Sequence, residues 1–339
     1  MKHLADGHRL LPFRYTWGML AAVLLVGLIV LAGPYSDGIV FAEDTGFGHY
    51  YWQLPDSTQW GFISAWAGYL IHQLGNWWII RIARQRRGKF VTGLRTLNAV
   101  ALLFNLICIL LHIIQTKFFY DGLAQNFSPF LSQNSVVVML MIILLMENPR
   151  RGLFFGKSVP VSRSVVDFLK SYHGYYISWA LVFTFWFHPM ELTAGHLLGF
   201  FYMFLLLLQG SLVFTAFHIN RKWTTFLEVY VLLHAIIVAW LSPAQSFEAV
   251  LMFGFGFLTL FVVTQIYGLP ISRRAIWVVS LLYLVLLALF YWGRFNEITV
   301  ILRIPLAEYG LTLLMALLIW LGLKGVVRWR AIRGQQSPP

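Results

Sequence analysis

The sequence predicts an all-α, polytopic integral-membrane helix bundle of about ten transmembrane helices with both termini cytoplasmic. Three observations predict it: the composition, the spacing of the apolar runs, and the placement of the basic residues. Of 339 residues, 59% are hydrophobic and 11% are charged, whereas a soluble domain runs near 45–50% apolar and about 25% charged. With a mean hydropathy of +0.72, this composition excludes a disordered chain, a disulfide scaffold and a water-soluble enzyme. The single cysteine, Cys108, has no partner for an intramolecular disulfide and carries no information about the redox compartment.

Crossing about 30 Å of hydrocarbon takes roughly 20 apolar residues per helix, and ten runs meet that need in turn. The first, 16–33, follows Arg14. Val30 and Ala32 resemble a signal cleavage site, but losing this run leaves an odd helix count, so it reads as a retained anchor. Segment 33–58, with Asp37, Glu43, Asp44, Asp56 and a Tyr50-Tyr51-Trp52 cluster, reads as an irregular extracytoplasmic cap loop. The second run, 59–80, stops at Arg81, and the third is 96–116. A turn at Asp121-Gly122 precedes the fourth, 128–146, whose strongly apolar part is short and borrows 127–134 to reach full length. Runs 165–187, 224–241 and 247–268 end close to Pro189, Pro243 and Pro270, where proline breaks helices without cost. The remaining runs are 195–216, 275–293 and 305–323, and a polar, flexible C-terminal tail spans 333–339. No loop holds a soluble domain, so 1–339 reads as a single transmembrane domain.

Orientation follows from charge. With the N-terminus in the cytoplasm, all but three of the 25 Lys and Arg residues fall in inside segments, the exceptions being Lys117, Arg294 and Arg303. A net charge of +12 therefore serves topology at an anionic lipid surface, and no nucleic acid is expected. The pattern is that of a bacterial inner (plasma) membrane protein.

Function is sought among the polar side chains inside the runs, since each costs roughly 2–4 kcal/mol in a bilayer unless paired or facing a cavity. His72 precedes Arg81 by nine residues, His173 follows Arg163 by ten, and His234 follows Trp223 by eleven. At about 1.5 Å per residue these three share one depth, roughly 13–17 Å above the cytoplasmic boundary. His112, His188 and His196 form an outer tier. Two tiers of imidazoles suit b-type haem, whose iron takes axial histidines from different helices. The expected cofactor is haem b, bound by His72, His173, His234, His112 and His188, with His173 and His234 on the iron. Such a chain is a membrane oxidoreductase or electron carrier that exchanges electrons with quinone or a redox partner protein. The bland counterpart is an anchoring role for histidines at helix ends and a bond to a neighbouring helix for the deeper ones. No HExxH or CxxCH motif is present, which argues against zinc hydrolysis and attached c-type haem.

A second constellation lies on the third run. Asn98, Asn105 and His112 are spaced by seven, with Gln115 bordering the same stripe, and Gln209 lies in the sixth run. This polar edge is either interhelical glue or a wet path for a small solute or ion that opens outside near Tyr120-Asp121-Gly122. The alternative function is therefore a secondary transporter, since ten spans divide into two sets of five with opposite orientation. Tyr69, His72 and Asn76 share a face of the second run, and Glu308 is expected to pair with Arg303.

Overall fold

The computed structural model describes residues 11–36, 38–43, 50–86, 89–241 and 247–335. It is all-α, with α1 Tyr15–Leu31, α2 Gln59–Gln85, α3 Thr96–Phe119, α4 Pro129–Arg151, α5 Arg163–Phe187, α6 Ala194–Ser211, α7 Arg221–Leu241, α8 Phe247–Val263, α9 Arg273–Phe290 and α10 Arg303–Gln335. Among the described residues, extended pairing is confined to isolated bridges such as Leu11 with Leu94. Each of the ten apolar runs corresponds to one helix. Seven of them, α3, α4 and α6 to α10, are long and apolar enough to cross a bilayer. α1 is apolar but shorter, while α2 and α5 are diluted by His72, Gln73 and Asn76 and by Asp167, Lys170 and His173.

Local chemistry sets the boundaries. Thr58, Thr193 and Ser272 cap α2, α6 and α9, each accepting from the backbone N–H three residues on. At the start of α3 the Arg95 N–H donates to Asn98 Oδ1 at 2.9 Å. α6 stops at Ser211 rather than 216, because Phe214 adopts φ +58° and its carbonyl accepts from Val91 N–H at 3.2 Å. α10 continues past 323 to Gln335, so the first residues of the expected flexible tail are helical, and 336–339 lie outside the described residues. Of the cap segment, Asp37 and Asp44 lie outside them too; what is described includes a short 3-10 turn, Gly33–Ser36, and a backbone bond from Ala42 to Gln53.

The helices group into two compact units, Met1–Val136 with Gly174–Tyr230, and Val137–His173 with Val231–Pro339. In the first, α1 packs on α6, α2 on α3, and α3 on α6. Its core centres on Phe185, Trp186, Phe187, Phe200 and Phe204. Two glycines of α2 make this packing possible: a Cβ on Gly68 would lie 2.1 Å from the Trp186 ring, and one on Gly75 would lie 2.1 Å from Phe104. In the second unit, α8 packs on α9 and α10, around Leu144, Leu153, Leu260 and Tyr309 and around Leu251, Phe255, Tyr291 and Ile301. No residue of α9 is buried, and Trp277, Val278, Leu281 and Leu282 stand exposed. An apolar outer surface of this kind is what a lipid-bathed helix presents, and the protein is an integral membrane protein by the length and composition of its helices.

Candidate functional site

The polar edge of α3 faces the interior of the first unit along its whole length. Asn98, Asn105, His112 and Gln115 are all buried. At one end, Asn98 Nδ2 donates to the carbonyls of Ser211 (2.7 Å) and Val213 (3.0 Å), tying the start of α3 to the end of α6. Two turns further on, Asn105 is the junction of a four-residue network. Its Oδ1 accepts from His72 Nε2 at 2.8 Å and from Asn76 Nδ2 at 3.2 Å, and its Nδ2 donates to Ser211 Oγ at 3.0 Å. Trp186 Nε1 donates to His72 Nδ1 at 3.1 Å. Because an indole only donates, Nδ1 of His72 carries the lone pair and Nε2 the proton, which is the tautomer Asn105 needs.

His112 lies next along the stripe, with its ring 4.3 Å from that of Trp186 and 4.8 Å from that of Phe185. Its two nitrogens face two acceptors, Gln115 Oε1 at 3.2 Å and the His188 carbonyl at 3.0 Å. The Gln115 amide is oriented by its own donation to the Asp121 carbonyl at 2.7 Å, so the ring donates to both neighbours only when both of its nitrogens are protonated.

The stripe ends at Tyr120-Asp121-Gly122. Here the structure has a γ-turn centred on Tyr120 rather than a turn centred on Asp121-Gly122. Tyr120 takes φ +62° and ψ −64°, and Asp121 N–H donates to the Phe119 carbonyl at 2.8 Å. This form is rare and strained, costing roughly 1–3 kcal/mol. It carries the Asp121 carboxylate inward to 4% exposure. Oδ2 accepts from Leu54 N–H (3.0 Å) and from Gln125 Nε2, and Oδ1 accepts from Gly122 N–H (2.7 Å). Burial pushes this carboxyl up to about 6, against the opposing pull of those three donors. A small cavity of about 10 Å³ beside it, lined also by Thr58, Gly61 and Phe119, is about the size of one water. Tyr50 Oη is hydrogen-bonded to His196 Nε2 at 3.2 Å, and His196 Nδ1 to Thr193 Oγ1 at 2.8 Å. Burial, then the charges of Asp121 and Glu191, hold the Tyr50 phenol well above its ordinary range.

The histidines fall into distinct environments. His72, His112 and His188 belong to the first unit, His173 and His234 to the second. Both ring nitrogens of His72 and of His112 are engaged, and Phe104, Phe185, Trp186 and Phe200 enclose the two rings. A macrocycle has no place against them, so these two do not fit as iron ligands. His188 Nδ1 donates to the Thr184 carbonyl at 2.9 Å. His173 Nδ1 donates to the Lys170 carbonyl at 3.0 Å, which leaves the lone pair of the neutral ring on Nε2. The Nδ1 of His234 is buried with no hydrogen-bond partner among the described residues. Gln209 does not join the α3 line. It clamps the α6–α7 turn, donating to the His218 carbonyl (2.9 Å) and accepting from Trp223 Nε1 (2.8 Å). Among the described residues, no group of three or more His, Cys, Asp or Glu side chains is placed to hold a metal ion.

Trp186 and Ser211 are the participants sequence reasoning missed. An indole among 14 tryptophans reads as packing, and its role appears only once Gly68 brings α5 against α2. The assembly defines a class, a membrane helix protein with a buried polar line ending at a buried carboxyl. No protein-family model, curated protein or solved structure matches the chain.

Proposed function

We propose that this chain is a proton-linked secondary transporter of the plasma membrane, with ten spans, both termini cytoplasmic, and the polar edge of α3 as its path. The observation that carries this reading is the buried carboxyl of Asp121, raised by burial to about 6, where that edge ends. The buried polar groups of α3 run from Asn98 to Thr116, with Asp121 just past the helix end; the 24-residue helix itself is about 36 Å long at 1.5 Å per residue, enough to cross about 30 Å of hydrocarbon. Protonation of Asp121 removes the charge that Leu54 N–H, Gly122 N–H and Gln125 bind, and a neutral carboxyl accepts from them more weakly. The contact between the outer segment at Leu54 and the turn after α3 loosens as the proton arrives, coupling protonation to opening of the outer end. In proteoliposomes containing a pH-sensitive dye, an imposed potassium diffusion potential with a panel of small solutes is expected to drive proton uptake. Asp121→Asn lowers that uptake at least about tenfold. Uptake no faster than in protein-free vesicles, with every solute and across the neutral range, overturns the reading.

A second reading, electron transfer through b-type haem with quinone or a redox protein as partner, is favoured by one observation. His173 fixes its Nδ1 on a backbone carbonyl and presents Nε2, the arrangement that orients a metal-ligating imidazole. His234 supplies the other open nitrogen. A reduced-minus-oxidised spectrum of haem-replete protein decides it. A haem band that disappears in both His173→Ala and His234→Ala supports the reading, and its absence from the folded parent ends it.

A further inference from the structure

Glu308 lies in the second turn of α10 and is 4% exposed. The pairing with Arg303 expected from sequence does not form: the Arg303 guanidinium lies 4.0 Å from Glu248, and both of those side chains are exposed. Among the described residues, Glu308 Oε2 is buried without a hydrogen-bond partner. So is Oγ1 of Thr312, one turn further along the same face and 0% exposed. The neighbouring Tyr309 hydroxyl is already committed to Thr264 Oγ1 at 2.7 Å, and Thr264 donates in turn to the Leu153 carbonyl.

The carboxylates of the surrounding elements have arginine partners. On α8, Glu248 faces Arg303, and in the 3-10 segment Phe295–Leu302, Glu297 lies 3.7 Å from Arg294. At the end of α4, Glu147 pairs with Arg150, and Arg151 lies within electrostatic reach of the Tyr309 hydroxyl, as Glu308 does. A carboxylate oxygen and a hydroxyl that are buried with no hydrogen-bond partner among the described residues, at i and i+4 of an apolar helix, are costly to keep there.

We propose that Glu308 is an exchangeable proton site inside the membrane, with the Thr312 hydroxyl as its partner. Uptake of one proton converts the carboxylate, which only accepts, into a carboxylic acid whose O–H can be donated to Thr312 Oγ1. Release returns the charge, after which the only bond open to the pair runs the other way, from the Thr312 hydroxyl to the carboxylate. The site belongs to the second unit and is independent of the Asp121 reading.

Dicyclohexylcarbodiimide, an apolar reagent, tests it in the full-length protein in lipid. A protonated carboxyl adds across one C=N bond and rearranges to an N-acylurea, with no leaving group and no redox change. Peptide mass spectrometry is expected to find the adduct on Glu308 at neutral pH, while the exposed Glu248 and Glu297 stay unmodified. The rate falls at least about tenfold toward pH 9, is unaffected by sodium, and is lost in Glu308→Gln. No adduct on Glu308 at any pH overturns the proposal, as does a rate independent of pH. Protection by sodium overturns it as well, since the site is then a sodium site. If Glu308→Gln does not fold, the pH profile of the parent protein decides alone. The Asp121 peptide is read in the same digest, so either site can fail without the other.

Discussion

Asp121 concentrates three unusual properties in one residue: a strained turn before it, near-complete burial, and a carboxyl raised from 3.8 to about 6. The consequence for stability has a definite sign. Between about pH 4 and pH 6 the folded protein retains a proton that the unfolded chain has released, so stability falls as pH rises through that window and is flat above it. At about 1.4 kcal/mol per pKa unit, a shift of about two units amounts to on the order of 3 kcal/mol. Thermal melts in detergent across this range are expected to show the parent losing stability on going from about pH 4 to pH 6.5 relative to Asp121→Asn, which lacks the titration. Equal slopes for the two proteins would show that the carboxyl is not buried at the mouth of the α3 edge. The sequence marked this position only as a turn, and as the place where a path would open. Its burial depends on Leu54 and Gln125, which a linear reading cannot bring to the same carboxylate.

At the scale of helices, α2 owes its place against α5 to Gly68. Any larger residue there meets the Trp186 ring, and Trp186 is also the donor to His72. Gly68→Ala is therefore expected to destabilise by roughly 1–3 kcal/mol and to shift tryptophan emission. Gly27→Ala in α1, where nothing lies within 4 Å of the added carbon, is neutral or stabilising by up to about 1 kcal/mol. Equal melting shifts for the two would contradict the packing described. These cases also separate what the sequence told from what it withheld. All ten helices were legible, because apolar length and end signals are local; several ends were not, since α2 and α4 run on about five residues into polar sequence, α8 gives way to a 3-10 turn after Val263, a positive φ at Phe214 stops α6, and α10 runs on through the tail. Polar faces were legible singly, Asn98-Asn105-His112 on α3 and Tyr69-His72-Asn76 on α2. Their meeting at Asn105 was not, since it requires the register of two helices separated by the basic loop 86–95. The histidines divide along the same line. Depth along a helix follows from counting residues, whereas direction around it depends on neighbours, and His72 and His112 turn toward Asn105, Gln115 and Trp186.

For the whole molecule, the number of crossings rests on the helices that hydropathy leaves in doubt. Counting only the seven long apolar helices leaves α1, α2 and α5 unassigned, and the basic residues supply the missing constraint. If α5 crosses together with α6 to α9, the chain passes through the bilayer five times between Lys157 and Trp292, and the two residues lie on opposite sides. Cys108, the one native thiol, is 2% exposed, so cysteines introduced at these positions are read against a silent background. Trp292 is 79% exposed and Lys157 is also exposed, so neither substitution disturbs a core. A membrane-impermeant maleimide applied to intact cells is expected to label Trp292→Cys and to leave Lys157→Cys unlabelled until the membrane is opened. Labelling of Lys157→Cys alone would invert the orientation. Labelling of both from outside would mean an even number of crossings between them. The helix to lose its span is then α5, whose polar residues at 167, 170 and 173 cost more to bury than those of any helix from α6 to α9.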